Sequence, residues 1–388
     1  MQPANLLHLT LSMGAGGIEN LILNMARHLD NTRFTLSVGC LDSGGVLLEE
    51  IKSIGCDSFV LQRQAGLDYR LVLQLAKILH DRKIHILHTH NQAAHFYGCL
   101  AAFLARTSVV INTEHSRHYI DGYWRRRLEK RFLSMFTDKI VTVSEELRRQ
   151  SLVRDKISNK KIITIVNGID LKSYTKNVPC GQSKEGLALR LEFGIPRDNK
   201  VLGIIGRLHP IKNHALLFDV IHNILNKQQA PVSLLVVGDG ELRQPLEDLS
   251  RSLGIINNVC FVGYRQDIPE ILSLLDALVL CSHTEGLPLT LLEAMAAGVP
   301  VVVTASANKS GLVRHRINGL VADSTVASLT EMIDMALKIN LVDTLVKKAK
   351  ETVFQEYSIN LTIKQYQHLY ENIKKINQPG KSTSTAHI

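Results

Sequence analysis

The chain has 388 residues, 45% hydrophobic and 21% charged. These are ordinary globular proportions, enough for two cores at roughly 100–200 residues per domain. No apolar run approaches the ~20 residues of a membrane span, and the start MQPANLLHLT lacks the basic region and long apolar stretch of a secretory signal.

The six cysteines, at positions 40, 56, 99, 180, 260 and 281, are far apart and form no C-x-x-C pair. That argues against a disulfide framework and a cysteine zinc site, and for reduced thiols in a cytoplasm. The net charge of +9 is uneven: residues 1–176 carry 24 Lys and Arg against 16 Asp and Glu, leaving 21 against 20 for the rest. Within the first part, residues 117–161 hold 13 basic and 6 acidic side chains. Such an excess suits an anionic partner: a membrane surface, a phosphorylated substrate or a nucleic acid.

Short apolar runs alternate with amphipathic stretches along the chain. LLHLT, FTLSVGCL, KIHILHTH, TSVVINTEH, DKIVTVS and KKIITIVNGID read as strands; IENLILNMARHL, YRLVLQLAKILHD, AAHFYGCLAAFLA and EELRRQSLV read as helices between them. The pattern pauses over 171–186, LKSYTKNVPCGQSKEG, and restarts with KVLGIIG, a helix over 213–226, SLLVVGDG, a helix over 241–253, NVCFVGY, DALVLCS and PVVVT. Strands alternating with helices of this length predict parallel sheets covered on both faces. The expected organisation is α/β, with two doubly wound Rossmann-like domains, 1–172 and 187–357, facing a central cleft. A helix over 358–378 packs back on the first domain, and a disordered tail follows over 379–388.

In open α/β sheets, ligands sit beyond the carboxyl ends of strands, and the informative residues cluster there. GRLHPIKN (206–213) follows the strand VLGII and places Arg207 and Lys212 on a loop entering a helix. Two fixed cations beside free helix N–H groups suit a diphosphate; the plainer reading is a solvated loop. EGLPLTLLE (285–293) follows DALVLCS. Pro288 fits a helix start, where its missing N–H costs nothing. The N–H groups of about residues 287–290 are free to bind an anion. Glu293, a turn inside the helix, can accept two hydrogen bonds from a vicinal diol such as a ribose, with Glu285 on the loop nearer the reacting centre. Taken singly, both acids are explained as helix-start carboxylates; together with the cations they describe a nucleoside diphosphate. VGDG (237–240) and FVG (261–263) end two more strands with Gly238 and, after Val262, Gly263, where glycine permits close approach to a ligand.

These motifs resemble glycosyltransferase family 4, retaining enzymes of the GT-B fold, and the resemblance covers nearly the whole chain. Glu285 and Glu293 match the family's paired glutamates, Arg207 and Lys212 its diphosphate-binding cations, GAGGIEN (14–20) its glycine loop, and VNGID (166–170) the strand before its interdomain linker. The resemblance implies transfer of a sugar from a nucleotide sugar with the anomeric configuration kept. Glu293 would hold the ribose, Arg207 and Lys212 the departing diphosphate, and Gly16 and Gly17 its phosphates or the acceptor. Glu285 would touch the donor sugar near its 3-hydroxyl, and Gly286, Leu287, Pro288 and Leu289 complete the donor loop. No metal or other cofactor is expected. One stretch departs from the family pattern: in TASANKSGLVRHRINGL, Ala307 and Asn308 stand where glycines are usual, and Gly311 where an acid is.

The first domain should hold the acceptor. His115, after the strand SVVIN, is the candidate catalytic residue of that side, with His90 and Asn91 lining the acceptor site and His95 packed in the following helix. His88 and His90 also form an H-x-H that can bind metal, but no further ligand set completes it in the sequence. RHYIDGYWRRRLEKRFLSMF (117–136) sets Tyr119, Tyr123, Trp124, Phe132 and Phe136 beside a cationic run from Arg125 to Arg131. That composition fits a helix resting on an anionic bilayer, the alternative being a solvated basic helix with core-facing aromatics. Nucleic acid is not an expected partner, since no binding module is visible.

The expected activity is therefore transfer of a hexosyl or N-acetylhexosaminyl unit from a UDP- or GDP-sugar to a glycan or lipid-linked acceptor of a bacterial surface polysaccharide, such as lipopolysaccharide, capsule or exopolysaccharide. The expected location is the inner face of the plasma membrane. The rival readings are a nucleotide-sugar 2-epimerase of the same form and a non-catalytic membrane-associated subunit.

Overall fold

The computed structural model describes residues 3–14, 16–115, 124–174, 184–227 and 231–376. Tyr119, Tyr123 and the tail after Pro379 lie outside these residues. The chain forms two compact units: residues 1–168 with 359–388, and residues 169–358.

The first unit is built on a seven-stranded sheet of β1 (Ala4–Ser12), β2 (Phe34–Ser43), β3 (Asp57–Val60), β4 (Ile86–Thr89), β5 (Val109–Glu114), β6 (Lys139–Thr142) and β7 (Ile162–Thr164). The order is β3-β2-β1-β4-β5-β6-β7, and neighbouring strands run parallel. Burial on both faces explains why the central strands read as near-continuous apolar runs. Leu7, Leu9, Leu87 and Val110 pack under the helices Tyr69–Asp81 and Gln92–Ala105. Leu6, Ile86, Val109 and Ile111, one residue out of phase, pack on the other face.

The helix that covers this second face comes from the far end of the chain. In Ile359–Ile376, the residues Ile359, Ile363, Tyr366, Tyr370 and Ile373 recur at helical spacing and are buried against that face.

The second unit carries a parallel sheet of β8 (Lys200–Ile205), β9 (Val232–Val237), β10 (Val259–Gly263), β11 (Ala277–Leu280), β12 (Val301–Thr304) and β13 (Leu320–Ala322), in the order β10-β9-β8-β11-β12-β13. The strands β3 and β13 and the helices Val46–Ser53, Val326–Ala336 and Ile339–Glu356 extend the pattern read from sequence. The two strands are edges of only four and three residues, too short to stand out by period. The chain enters the second unit at Ile169, earlier than the expected 172, because Ile169 bridges to Ser358 and accepts no place in the first sheet. Leu171–Tyr174 then form a 3₁₀ turn against the helix Leu289–Ala297.

Each sheet reverses its order at one place, between β1 and β4 in the first and between β8 and β11 in the second. The strand ends on either side of such a reversal diverge and leave a crevice. GAGGIEN follows β1 and His90 follows β4; Arg207 and Lys212 follow β8 and Glu285 follows β11.

Candidate active site

At the reversal of the second sheet, Lys212 closes the 3₁₀ turn Pro210–Lys212, and Asn213 in the left-handed region turns the chain into the helix His214–Asn226. That turn delivers the Lys212 ammonium to the loop after β11, where its Nζ donates to Glu285 Oε1 at 2.7 Å. Ser282 Oγ donates to the same oxygen at 2.6 Å. The backbone ties the two loops as well: His283 N donates to Ile211 O at 2.8 Å, and Cys281 Sγ lies 3.2 Å from Asn213 O. Arg207, on the loop that leads into this turn, is exposed and has no side-chain hydrogen bond or ion pair among the described residues. Two of the predicted residues are thus in direct contact, and a second cation, Arg207, stands on the adjoining loop uncommitted.

Helix Leu289–Ala297 starts directly after Pro288, whose extended backbone serves as its N-cap. Gly286, Leu287 and Pro288 are buried. The first amides of the helix have no intrahelical acceptor, apart from Leu291 N, which donates to Pro288 O at 3.2 Å. Glu293 sits one turn further in. Burial pushes its carboxyl up to about 7, although a hydrogen bond from the Tyr174 hydroxyl pulls the other way. The Tyr174 phenol is itself raised, by burial and then by the facing carboxylate. Sequence reasoning placed Tyr174 in a linker and missed it. The only signal was one aromatic ring in an otherwise polar stretch.

The glycines after β9 and β10 have separate reasons. Gly238, at φ +129, has the carbonyl of Gly206 where a Cβ would stand, and Gly240 has Leu208 O within 2.6 Å of its Cβ position. The close approach that these glycines permit is to the protein's own β8 loop, which the hydrogen bonds Gly206 N to Val237 O (2.9 Å) and Leu208 N to Asp239 O (2.9 Å) hold in place. Gly263, at φ +70, faces open space, and Val262 before it is half-buried. In the divergent segment, the Asn308 side chain replaces flexible backbone with a clasp: Nδ2 donates to Val313 O at 2.7 Å, and Oδ1 accepts from Val313 N at 3.0 Å. Ala307 is buried beneath it, and Gly311 takes a left-handed turn at φ +72.

In the first unit, Gly16 is the uncapped N-cap of the helix Gly17–His28. A side chain at Gly16 would meet only the Glu19 carboxylate, which can swing aside, and Gly16 has extended backbone, so the fold itself does not demand glycine there. Asn91 caps the helix Gln92–Ala105, accepting from Ala94 N at 3.0 Å, and also donates to Thr10 Oγ1 at 3.3 Å. His95 lies within that helix, bonded to Thr137 Oγ1 at 2.8 Å.

His90 departs from the expectation that it lines an acceptor site. It is 1% exposed, and both ring nitrogens are engaged: Nδ1 with His115 Nε2 at 3.1 Å, and Nε2 with His8 Nδ1 at 2.7 Å. It stands behind His115, because residues 86, 88 and 90 share the face covered by helix Ile359–Ile376. His115 follows β5, and its Nδ1 is buried with no partner among the described residues. Burial takes the His115 imidazole down to about 3, so it is neutral.

Helix Trp124–Leu133 turns most of its aromatics and cations outward. Trp124, Leu128, Phe132, Met135 and Phe136 are exposed, as are Arg125, Arg126, Arg127 and Arg131. Lys130 is the exception within the predicted basic run: its Nζ donates to the buried Glu114 Oε1 at 3.1 Å. No helix among the described residues is long and apolar enough to cross a membrane.

Two family models match the chain, "Glycosyltransferase Family 4" over residues 15–173 and "Glycosyl transferases group 1" over residues 188–352. The chain is 27% identical over 342 residues to the UDP-Gal:alpha-D-GlcNAc-diphosphoundecaprenol alpha-1,3-galactosyltransferase of Escherichia coli, covering 84% of this chain and 87% of that one. It is 26% identical over 297 residues to an alpha-1,4-N-acetyl-D-galactosaminyltransferase of Campylobacter jejuni, whose named acceptor is also a diphosphoundecaprenol-linked sugar, covering 73% of this chain and 74% of that one. Among solved structures, Anabaena Alr3699/HepE in complex with UDP and glucose superposes with a TM-score of 0.83 at 20% identity, covering 95% of this chain and all of that one. The two parallel sheets have the GT-B fold, and the chain belongs to the family 4 glycosyltransferases.

Proposed function

We propose that this glycosyltransferase moves a hexosyl or N-acetylhexosaminyl unit from a UDP-sugar to a lipid-linked glycan, with retention of anomeric configuration, at the inner face of a bacterial membrane. The observation that carries the reading is the set of groups at the reversal of the second sheet: free Arg207, Lys212 paired to Glu285, open helix amides after Pro288, and Glu293 held by Tyr174. Relatives of similar length act on undecaprenyl-diphosphate-linked sugars, and a fold neighbour binds UDP and glucose. A GDP-sugar is the second donor class to test.

In this reading Glu293 accepts hydrogen bonds from the ribose hydroxyls, while Arg207, Lys212 and the helix amides meet the diphosphate. The bond from the anomeric carbon to the diphosphate oxygen breaks, and the acceptor oxygen bonds to that carbon from the same face. The acceptor proton passes to the departing phosphate, so no strong protein base is needed. Side-chain cations and helix amides neutralise the developing charge, the role a metal fills elsewhere. The exposed arginines and aromatic side chains of Trp124–Leu133 rest on anionic lipid and present the lipid-linked acceptor.

The test is incubation with UDP-glucose, UDP-galactose, their N-acetylhexosamine counterparts and GDP-mannose, each with a polyprenyl-diphosphate sugar. The expected outcome is transfer from one of them, with an axial anomeric linkage by NMR if the donor linkage is axial. Conversion of donor without acceptor to a 2-epimer would replace this reading with an epimerase.

A further inference from the structure

The face of the first sheet beneath helix Ile359–Ile376 carries an unusual set of polar groups. Strand alternation places His8, His88, His90, Thr113 and His115 there, beyond the apolar residues Leu6, Ile86 and Ile111 of the same strands. His8 and His88 are register partners. Helix residues Tyr366 and Tyr370, one turn apart, reach down onto them.

The contacts run in single file. His115 Nε2 meets His90 Nδ1 (3.1 Å), His90 Nε2 meets His8 Nδ1 (2.7 Å), and His8 Nε2 meets the Tyr370 hydroxyl (3.2 Å). The Tyr370 hydroxyl meets His88 Nδ1 (2.7 Å), His88 Nε2 meets Thr113 Oγ1 (2.7 Å), and Thr113 Oγ1 meets the Tyr366 hydroxyl (3.2 Å). His8, His88 and His90 are close enough together to suggest a metal site. Every one of their ring nitrogens, however, already has a partner in this file.

Protons can be counted along it. Burial drives all four imidazoles far below the ordinary histidine range, so each carries one N–H. With the three hydroxyls this gives seven donors for six contacts. One donor must be left over, and one nitrogen, His115 Nδ1, has no partner. If the spare proton sits on that nitrogen, the file has a single unmet group. If it sits anywhere else, a buried donor and the bare His115 Nδ1 are both unmet, and each buried unmet group costs about 1–3 kcal/mol.

We propose that Tyr370, His88, His8 and His90 are positioning residues that hold His115 in the tautomer with its proton on Nδ1. His115 then presents a hydrogen-bond donor, not a base, to an oxygen of the bound ligand. The direction of the file runs from the Tyr366 hydroxyl to Thr113, whose own hydroxyl donates to His88 Nε2 and fixes the direction, and Tyr370 passes it from His88 to His8. The link to catalysis rests on the proposed function; the tautomer itself does not.

The two tyrosines make the test. Tyr366→Phe removes a hydroxyl at the end of the file and leaves Thr113 free to donate, so the direction is kept. Tyr370→Phe removes a hydroxyl in the middle. His8 Nε2 then becomes a second open end, and the two directions become equal in unmet groups. Thr113→Val does the same by opening His88 Nε2. The full-length protein, 15N-labelled at histidine, is studied by long-range 1H–15N NMR, with the His115 signals assigned by their loss in His115→Gln. The expected pattern is Nδ1–H in the wild type and in Tyr366→Phe, and mixed tautomers in Tyr370→Phe or Thr113→Val. In the last two, kcat/KM falls about twofold, the fraction of molecules still carrying the proton on Nδ1. An Nε2–H or charged His115 in the wild type overturns the proposal. So does equal behaviour of Tyr366→Phe and Tyr370→Phe, or stoichiometric zinc bound to the wild type. Absent transferase activity with the expected tautomers would count against the proposed function alone.

Discussion

Lys212 and Glu285 share one short ion pair at 2.7 Å, buried to about a fifth of their free exposure on each side (20% and 15%). The pair spans the two strand ends of the sheet reversal, and in the proposed reading a diphosphate there competes with Glu285 for the ammonium. Removing one partner therefore does two different things. Lys212→Ala strips charge from the leaving group and leaves Glu285 with Ser282 as its one side-chain partner among the described residues; loss of one such stabilising group lowers kcat by about 10²–10³. Glu285→Gln frees Lys212, so UDP should bind as well as or more tightly than in the wild type while transfer is lost. Isothermal titration with UDP beside steady-state rates checks both. Weaker UDP binding in Glu285→Gln would show that the carboxylate orients Lys212 rather than competes for it.

Glu293 gives a pH dependence whose sign is fixed. Its folded-state value of about 7 lies above the ordinary 4.5. The ligand-free protein therefore has its full stability from this group below pH 4.5 and loses it as pH rises through 7, at no more than about 1.4 kcal/mol per pH unit. Glu293→Gln should flatten that slope in denaturant melts between pH 5 and 8. A ribose diol needs the ionised carboxylate, so UDP affinity should rise over the same interval and binding should release protons. The Tyr174 hydrogen bond lowers the carboxyl, so Tyr174→Phe should move the UDP-binding profile to higher pH.

What could be read from sequence follows from where the physics is local. Strands covered on both faces become runs such as VLGII and ALVL, and the residues that follow them, Arg207, Lys212 and Glu285, declare themselves by position. Glu293 was legible as a candidate by its place one turn inside the helix that follows the loop. Tyr174 was not, because its meaning depends on a carboxylate distant in sequence. The role of Tyr370 was hidden for the same reason: a tyrosine at helical spacing in INLTIKQYQHLYENI reads as core, and only the sheet beneath it supplies His8 and His88. From sequence His90 reads as lining an acceptor site, because its strand ends there. Alternation along β4 instead turns it under the last helix. Asn91 and Gly238 were read as ligand-facing, although each has a local structural task that the sequence does not display.

Gly238 and Gly263 separate close packing from backbone strain. Both have positive φ, but Gly238 faces the Gly206 carbonyl and Gly263 faces nothing within 4 Å. Gly263→Ala should cost only the left-handed penalty of about 1–2 kcal/mol. Gly238→Ala should cost more, because the β8 loop must also move, and it should weaken UDP binding by displacing Arg207. Urea melts and UDP titrations of the two variants check this; equal losses in both would remove the loop contact as the reason for glycine at 238.

The proposed membrane face predicts a division within one basic helix. Arg125, Arg127 and Arg131 are exposed beside Trp124 and Phe132, whereas Lys130 is committed to Glu114, which is 8% exposed. Each cation near an anionic surface contributes about 1 kcal/mol. Reversing Arg125, Arg127 and Arg131 to Glu together should therefore weaken binding to phosphatidylglycerol-containing vesicles by about 100-fold or more, with little change in melting temperature. Lys130→Glu should behave in the opposite way, since it sets a second carboxylate against Glu114 in the protein interior. Its melting temperature should fall, while vesicle binding by the folded fraction changes much less than in the triple variant. Sedimentation with anionic and with neutral vesicles, at low and at high salt, reads these outcomes. Binding that is equal for both vesicle types, or unmoved by salt, would place the attraction in the aromatic residues alone and remove the arginines from the membrane role.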